Sequence, residues 1–468
     1  MVFSSLIFLF QFLPMVLLVY YISPKRLRNA VLLAASLVFY AWGEPLYILL
    51  MVFSTVFDYA NGLLIERFRP RRRVAKTVLL ISLAGNLGIL GFYKYAGFVI
   101  DNLNGLFQLH LQAADLPLPI GLSFYTFQTM SYVIDVYRGK VQPQRNLIAF
   151  GTYVTMFPQL VAGPIVKYGD IARQLVSRNL TLKRFGKGAE LFIRGLAKKM
   201  LLANNLGLLW TSVKTTPAEE MSMLGAWLGI AAFTLQIYFD FSGYSDMARG
   251  LAKMLGFNMK INFNYPYISR SVTEFWRRWH ISLGSWFREY VYIPLGGNRT
   301  GIGKQLRNLL IVWFMTGLWH GASWNFIAWG LFFGGLVTLE KLFLLKWLKY
   351  VPRLGQHIYL LLAVAIGWVL FEFEQMDMAW IFVKSMFGGA ANGWANFQAL
   401  YDLSAYALIL ALSALCATPL PRLWLLRWTF RRRLVSVTVL PLLYLVALIL
   451  STAYLVAQTY NPFLYFRF

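Results

Sequence analysis

The segment Leu318-Trp319-His320-Gly321-Ala322-Ser323-Trp324 puts a histidine inside an uncharged run from Asn308 to Leu339. An ionisable side chain in such a run is costly to bury in lipid, and by default it lines a cavity and works there. Imidazole has an unperturbed pKa of about 6.5, so it takes up and returns protons near neutral pH. His320 therefore reads as a general base for a hydroxyl nucleophile. The plainer alternative is a packed histidine bonded to a neighbouring helix. Gly317 and Gly321 flank it and would let a backbone or a substrate come close. Trp319, Trp324 and Trp329 are candidates for the walls.

Three further constellations bear on chemistry. His280 ends Glu274-Phe275-Trp276-Arg277-Arg278-Trp279-His280, and Ser285-Trp286-Phe287-Arg288-Glu289-Tyr290 follows shortly after. Arg277, Arg278 and Arg288 either meet anionic lipid from an interfacial helix or form a mouth that receives the phosphates of a donor such as coenzyme A. Tyr238-Phe239-Asp240-Phe241-Ser242-Gly243-Tyr244-Ser245-Asp246 carries two aspartates among small and hydroxyl residues at the edge of an apolar run. It reads as a capped helix end. Alternatively, Asp240, Ser242, Tyr244 and Asp246 orient a histidine or line a tunnel. Finally, the chain closes on Asn461-Pro462-Phe463-Leu464-Tyr465-Phe466-Arg467-Phe468. Termini are usually polar and frayed. This aromatic tail is expected to dock, either as an apolar anchor or to present the Tyr465 hydroxyl inside the protein.

These residues sit in a chain of 468 residues that is 58% hydrophobic and 13% charged. That composition excludes a soluble or disordered protein and implies an all-α, polytopic integral membrane protein. The net charge of +25 would point to nucleic acid in a soluble protein. Here Lys and Arg cluster in short loops between apolar runs, as in the positive-inside pattern. The single cysteine, Cys416, precludes an intramolecular disulfide, and four scattered histidines give no metal-ligand spacing. The run Val2–Ile22 has neither a basic n-region nor a small-residue cleavage site, so it is expected to be a retained first helix.

Apolar runs of about 20 residues predict crossings near Val2–Ile22, Ala30–Trp42, Pro45–Ile65, Thr77–Tyr93, Leu116–Ile134, Lys199–Thr211 and Met221–Phe239. Two more are expected within Asn308–Leu339, then Ile358–Phe371, Leu403–Pro419 and Leu434–Tyr460. Asn146–Val166 carries two prolines and Gly163 and is expected to be a broken or re-entrant element. Lys25-Arg26-Leu27-Arg28, Arg67 through Lys76 and Arg431-Arg432-Arg433 mark cytoplasmic loops, which puts both termini outside. The polar insert at 249–307 is expected to lie as amphipathic helices at the cytoplasmic interface. No linker or repeat divides the chain, so residues 1–468 read as one integral domain with an aromatic tail at 461–468.

Taken together, the motifs resemble the membrane-bound O-acyltransferase family, in its bacterial cell-envelope branch of alginate and peptidoglycan O-acetyltransferases. The resemblance covers nearly the whole chain. It is carried by Met1-Val2-Phe3-Ser4-Ser5, Phe39-Tyr40-Ala41-Trp42, Pro119 to Tyr125 and Leu160 to Pro164. It is strongest at Phe239–Asp246, Glu274–Leu283, Leu295–Arg299 and Gly317–Gly321. It implies a ring of tilted helices with a tunnel between the membrane faces, His320 as the essential histidine and His280 as the second characteristic one. It also implies that Tyr465 receives the acyl group. The donor would be acetyl-CoA or another acyl thioester, with no bound cofactor or metal. The partner would be an extracytoplasmic serine hydrolase-like protein at the inner membrane, which chooses the polysaccharide that is O-acetylated. Physics alone leaves two other classes open: a transporter or flippase of a lipid-linked glycan, and a non-catalytic scaffold of an envelope-synthesis complex. Thioester consumption by the purified protein separates them from an enzyme.

Overall fold

The computed structural model describes residues 1–112, 117–161, 163–299, 301–431, 435–457 and 463–464, and every regular element among them is helical. Among the described residues, seven helices are long and apolar enough to cross a membrane, so the protein is a multi-pass membrane protein. The chain groups into two compact units. The first holds Met1–Phe192 and Tyr244–Lys260, the second Ile193–Gly243 and Ile261–Phe468.

The first unit opens with a π-helical turn, Phe8–Phe12, running into α1 (Leu13–Ile22), then α2 (Arg28–Ala41), α3 (Ile48–Arg67) and α4 (Arg72–Phe107). The apolar stretches Phe8–Ile22 and Arg28–Ala41 fall short of a perpendicular crossing: fifteen residues at 1.5 Å each span about 22 Å of a core about 30 Å thick. The Thr77–Tyr93 run extends instead to the 36 residues of α4. The crossing expected at Leu116–Ile134 is α5 (Leu122–Tyr137), buried at 14 of its 16 positions, so it is a helix of the protein interior. The Asn146–Val166 segment breaks as expected: α6 (Leu147–Thr155) stops, and turns follow before α7 (Tyr168–Val176). A buried carboxylate ties three of these helices. Asp58 of α3 accepts hydrogen bonds from Ser82 Oγ (2.6 Å) and Asn86 Nδ2 (2.8 Å) of α4, and Asn86 accepts one from Thr129 of α5.

Three segments follow one another without interruption: α8 (Leu182–Ala197), a π-helical stretch Lys198–Ala203 and α9 (Asn204–Lys214). The Lys199–Thr211 run is thus part of one longer helical rod. Next comes α10 (Met223–Met254), which corrects the reading of residues 238–246. They lie in the middle of a 32-residue helix, not at a capped helix end. The aspartates that look like a stop signal are paired: Asp240 with Lys199, and Asp246 with Arg249.

The polar insert forms α11 (Val272–Arg278), α12 (Ile281–Phe287) and a π turn Arg288–Tyr292. The Asn308–Leu339 run resolves, as expected, into two helices, α13 (Ile302–His320) and α14 (Trp324–Leu339), joined by a tight turn. They pack backbone to backbone: a Cβ on Gly317 would strike Phe326 O, and one on Gly330 would sit 2.5 Å from Trp313 O. A π turn Glu340–Leu344, the short α15 (Leu345–Leu348) and α16 (Arg353–Glu372) lead to α17 (Met376–Lys384), α18 (Phe397–Cys416), α19 (Leu420–Arg431) and α20 (Leu440–Ala457). Because the α13–α14 hairpin holds His320 at its bend, its fit sets the site. Gly330→Ala should cost about 1–3 kcal/mol by overpacking, read as a lowered melting temperature in detergent, whereas Gly335→Ala, where no atom lies within 4 Å, should leave it unchanged.

Candidate active site

His320 is the last residue of α13, 8% exposed, and it faces a small cavity in the second unit. Trp329 of α14, Trp368 and Phe371 of α16, Trp279 at the end of α11, and Ile237, Asp240 and Phe241 of α10 complete the wall with Phe463 and Leu464. The free space is about 20 Å³, enough for about one water molecule. Aromatic edges surround the imidazole: ring centres of Trp319, Trp329 and Phe371 lie 4.9, 4.9 and 5.3 Å away, all near perpendicular. In so dry a setting an electrostatic interaction is worth far more than in water. The indole N–H of fully buried Trp329 has no hydrogen-bond partner among the described residues, so the apolar lining carries a polar donor.

Among the described residues, the only charged group in the lining is Asp240. It is 2% exposed, and its Oδ1 meets Lys199 Nζ at 2.6 Å. Its Oδ2 accepts the backbone N–H of Leu464 at 2.8 Å. Local sequence makes this possible. Gly243, one turn past Asp240, lets α10 approach the rod so closely that a Cβ there would sit 2.8 Å from Gly195 O and 3.3 Å from Lys199 N. The widened π turn at 198–203 is a form that recurs at functional positions. Lys199 escaped the sequence reading because Lys198-Lys199 looks like an ordinary basic cluster at the end of a span.

His280 is 2% exposed and is not part of the cavity lining. Its ring packs edge-on against Phe241 at 4.8 Å and lies 6.1 Å from that of Trp319, so the Trp319 ring neighbours both histidines. His280 itself has left-handed backbone, φ 43°, between α11 and α12. Asn262 secures that turn, accepting from Ile281 N through its carbonyl and from Ser282 N and Oγ through its side chain. Burial pushes the His280 pKa down to about 3, so the ring is neutral at physiological pH.

The remaining sequence candidates divide. Arg277 and Arg288 are exposed. Arg278 is half-buried and committed to Glu274 (2.9 Å) and Asn264 O (3.2 Å). Ser242 accepts from Lys198 at 3.4 Å. Tyr244 and Asp246 lie in the first unit, where Tyr244 stacks on Phe3 at 4.6 Å and Asp246 pairs with Arg249. Of the tryptophans expected to wall the site, Trp329 does and Trp319 backs His320. Trp324 is 59% exposed at the start of its helix and is not among the described lining residues. Tyr465, with the rest of the tail except Phe463 and Leu464, lies outside the described residues, as do Arg432 and Arg433. A second, larger space of about 280 Å³, lined by Lys214, Glu372, Glu374, Gln375, Met378 and three phenylalanines, shares Phe326's neighbour Phe371 with the His320 cavity.

A multi-pass helical protein that seals a histidine among aromatic rings has the architecture of an enzyme working within the bilayer. Residues 139–376 match the model of MBOAT, the membrane-bound O-acyltransferase family. The chain belongs to that family and is an O-acyltransferase. It is 40% identical to a probable alginate O-acetylase of Pseudomonas putida over the whole of both chains. It is 44% identical to that of Azotobacter vinelandii over 83% of this chain and 78% of the other. Similarity extends to a peptidoglycan O-acetyltransferase of Helicobacter pylori, 32% identical over 83% and 80% of the two chains.

Two outcomes are expected. Because the His280 pKa falls from its unperturbed value to about 3, its NMR signals should not titrate between pH 5 and 8. An unfolded chain would take up this proton below about pH 6.5, so this residue's contribution to stability is lost as pH falls from there toward 3. Lys199→Met leaves Asp240 as a buried lone charge and should cost about 3–5 kcal/mol. Adding Asp240→Asn should restore most of the melting temperature.

Proposed function

We propose that this enzyme takes an acetyl group from cytoplasmic acetyl-CoA and passes it through its own C-terminal tyrosine to an acceptor outside the membrane. What carries the reading is one contact: Leu464 donates its N–H to Asp240 in the wall of the cavity that His320 faces. Tyr465 is the next residue in the chain. A tyrosine hydroxyl has a pKa of about 10 and is a poor nucleophile at neutral pH unless a base assists it. His320 accepts the phenolic proton as the oxygen attacks the thioester carbonyl. The tetrahedral intermediate then collapses, the C–S bond breaks, and the thiolate leaves with the proton returned by the imidazolium. The product is an acetyl-tyrosine ester and free coenzyme A. Exposed Arg277 and Arg288 meet the donor's phosphates at the cytoplasmic face. His280 supports Trp319 and Phe241 rather than touching the reacting atoms.

Both termini then face outward, where the ester is handed to a serine hydrolase-like partner. The names of the relatives, alginate and peptidoglycan O-acetylases, support a cell-envelope or exopolysaccharide hydroxyl as the final acceptor. The test is mass spectrometry of the C-terminal peptide after the purified chain meets isotopically labelled acetyl-CoA. Label is expected on Tyr465, lost in Tyr465→Phe and reduced about 10²–10⁴-fold in His320→Ala, the usual range for a general base. Normal labelling of His320→Ala would reject the base assignment. Full polymer acetylation by Tyr465→Phe would reject the relay.

A further inference from the structure

We propose that Glu340 is a positioning residue for the His320 cavity, acting through the N-terminus of α11; the inference rests on the functional reading above. Glu340 follows directly on α14 and is completely buried. A buried carboxylate in a membrane protein is expensive unless both of its oxygens are hydrogen-bonded. Here Oε1 accepts the N–H of Val272 at 2.6 Å and the hydroxyl of Tyr359 at 3.1 Å, and Oε2 accepts the N–H of Thr273 at 2.8 Å. The third free N–H of α11, that of Glu274, goes to the N-cap Ser271 Oγ at 3.1 Å, and Glu274 Oε2 accepts Arg270 N–H in return. This Ser-x-x-Glu pair is a local cap of the capping-box kind, with the return bond one residue before the N-cap. The carboxylate reaching in from a helix 68 residues further on is an addition to it, with its charge at the favourable end of the helix dipole.

The reason α11 needs a second hold is its length. Seven residues are far too few for a helix to keep its shape unaided, so its ends decide where it points. Its C-terminal end carries the cavity wall. Trp276 meets Trp329 at 5.4 Å and Phe333 at 4.9 Å, and Trp279 meets Trp368 at 5.0 Å and lines the space before His320. Trp329 and Glu340 stand on the same rod, about three turns apart. α14 therefore grips α11 at two separated places, through ring contact at one and through the carboxylate at the other. One of these contacts alone would let α11 shift more easily against α14. Two fix its direction and, with it, Trp279 and the left-handed turn at His280.

The test compares full-length Glu340→Ala, Glu340→Gln and Tyr359→Phe with the natural chain, in nanodiscs, using monodisperse protein only. Turnover of acetyl-CoA is expected to fall about tenfold in kcat for Glu340→Ala, with the KM for the thioester within about twofold. Glu340→Gln keeps one acceptor oxygen and should recover part of the loss, and Tyr359→Phe, which leaves both N–H bonds of the cap, should stay within about twofold of the natural kcat. The His280 NMR signals supply a substrate-free readout: they should shift and begin to titrate in Glu340→Gln. Should Glu340→Ala not fold, Glu340→Gln is judged by the same criteria. The proposal is overturned if folded Glu340 variants keep natural kcat and an unchanged His280 signal. His320→Ala run alongside separates the failures. If it still turns over, the functional reading is wrong; if it is dead while the Glu340 variants are normal, only the positioning role is wrong. If the natural chain consumes no acetyl-CoA, the His280 signal decides.

Discussion

Lys199 and Asp240 meet at 2.6 Å with almost no solvent around either, and much of the second unit is arranged so that they can. A charge in this environment persists only when a partner is held in place. Gly243 supplies the close approach, the π turn supplies the register, and the carboxylate's second oxygen is left facing the cavity. That oxygen is what Leu464 uses. The same pair thus closes the wall beside His320 and gives the end of the chain a polar hold among otherwise apolar surfaces.

Around this charge pair the cavity is built almost entirely from aromatic rings, and rings alone would slide. Tilted and edge-on contacts between Trp276, Trp279, Trp329 and Trp368 bring large apolar area together, with a geometric preference of only about 0.5–1.5 kcal/mol per pair. Direction comes from a few hydrogen bonds at helix ends: Asn262 at the turn after His280, and Ser271 with Glu340 at the start of α11. These buried polar groups sit where backbone N–H groups would otherwise be unsatisfied.

His320 was legible in the sequence because nothing charged surrounds it for a dozen residues on either side, and a lone histidine in such a run has few plain explanations. The α13–α14 hairpin, the broken segment after α6 and the docking of the aromatic tail at Phe463 and Leu464 followed from equally local signals. What was not legible was pairing at a distance. Asp240 and Asp246 look like the end of a span when read alone, because the cations that let the helix continue are outside the apolar run or on another helix. The Leu116–Ile134 run gives no sign that its helix is wrapped by protein, because hydropathy does not distinguish lipid from protein neighbours. Trp319, Trp324 and Trp329 look alike at their spacing, and only the turn at Gly321–Ser323 sends Trp324 outward. Glu340 reads as a charge ending an apolar run, since its partners are the backbone of a helix far earlier in the chain.

The ring of Phe371 has one further consequence. It borders both the tight space at His320 and the roomier, polar pocket beside Lys214 and Glu372. Glu374, Gln375 and Met378 of that pocket are exposed, so it reaches the protein surface. A membrane that stores energy as an ion gradient cannot tolerate a continuous wet path through one of its enzymes. On this side of His320, the insulation includes the ring of Phe371, which belongs both to the wall of the inner space and to the wall of a pocket open to the surroundings.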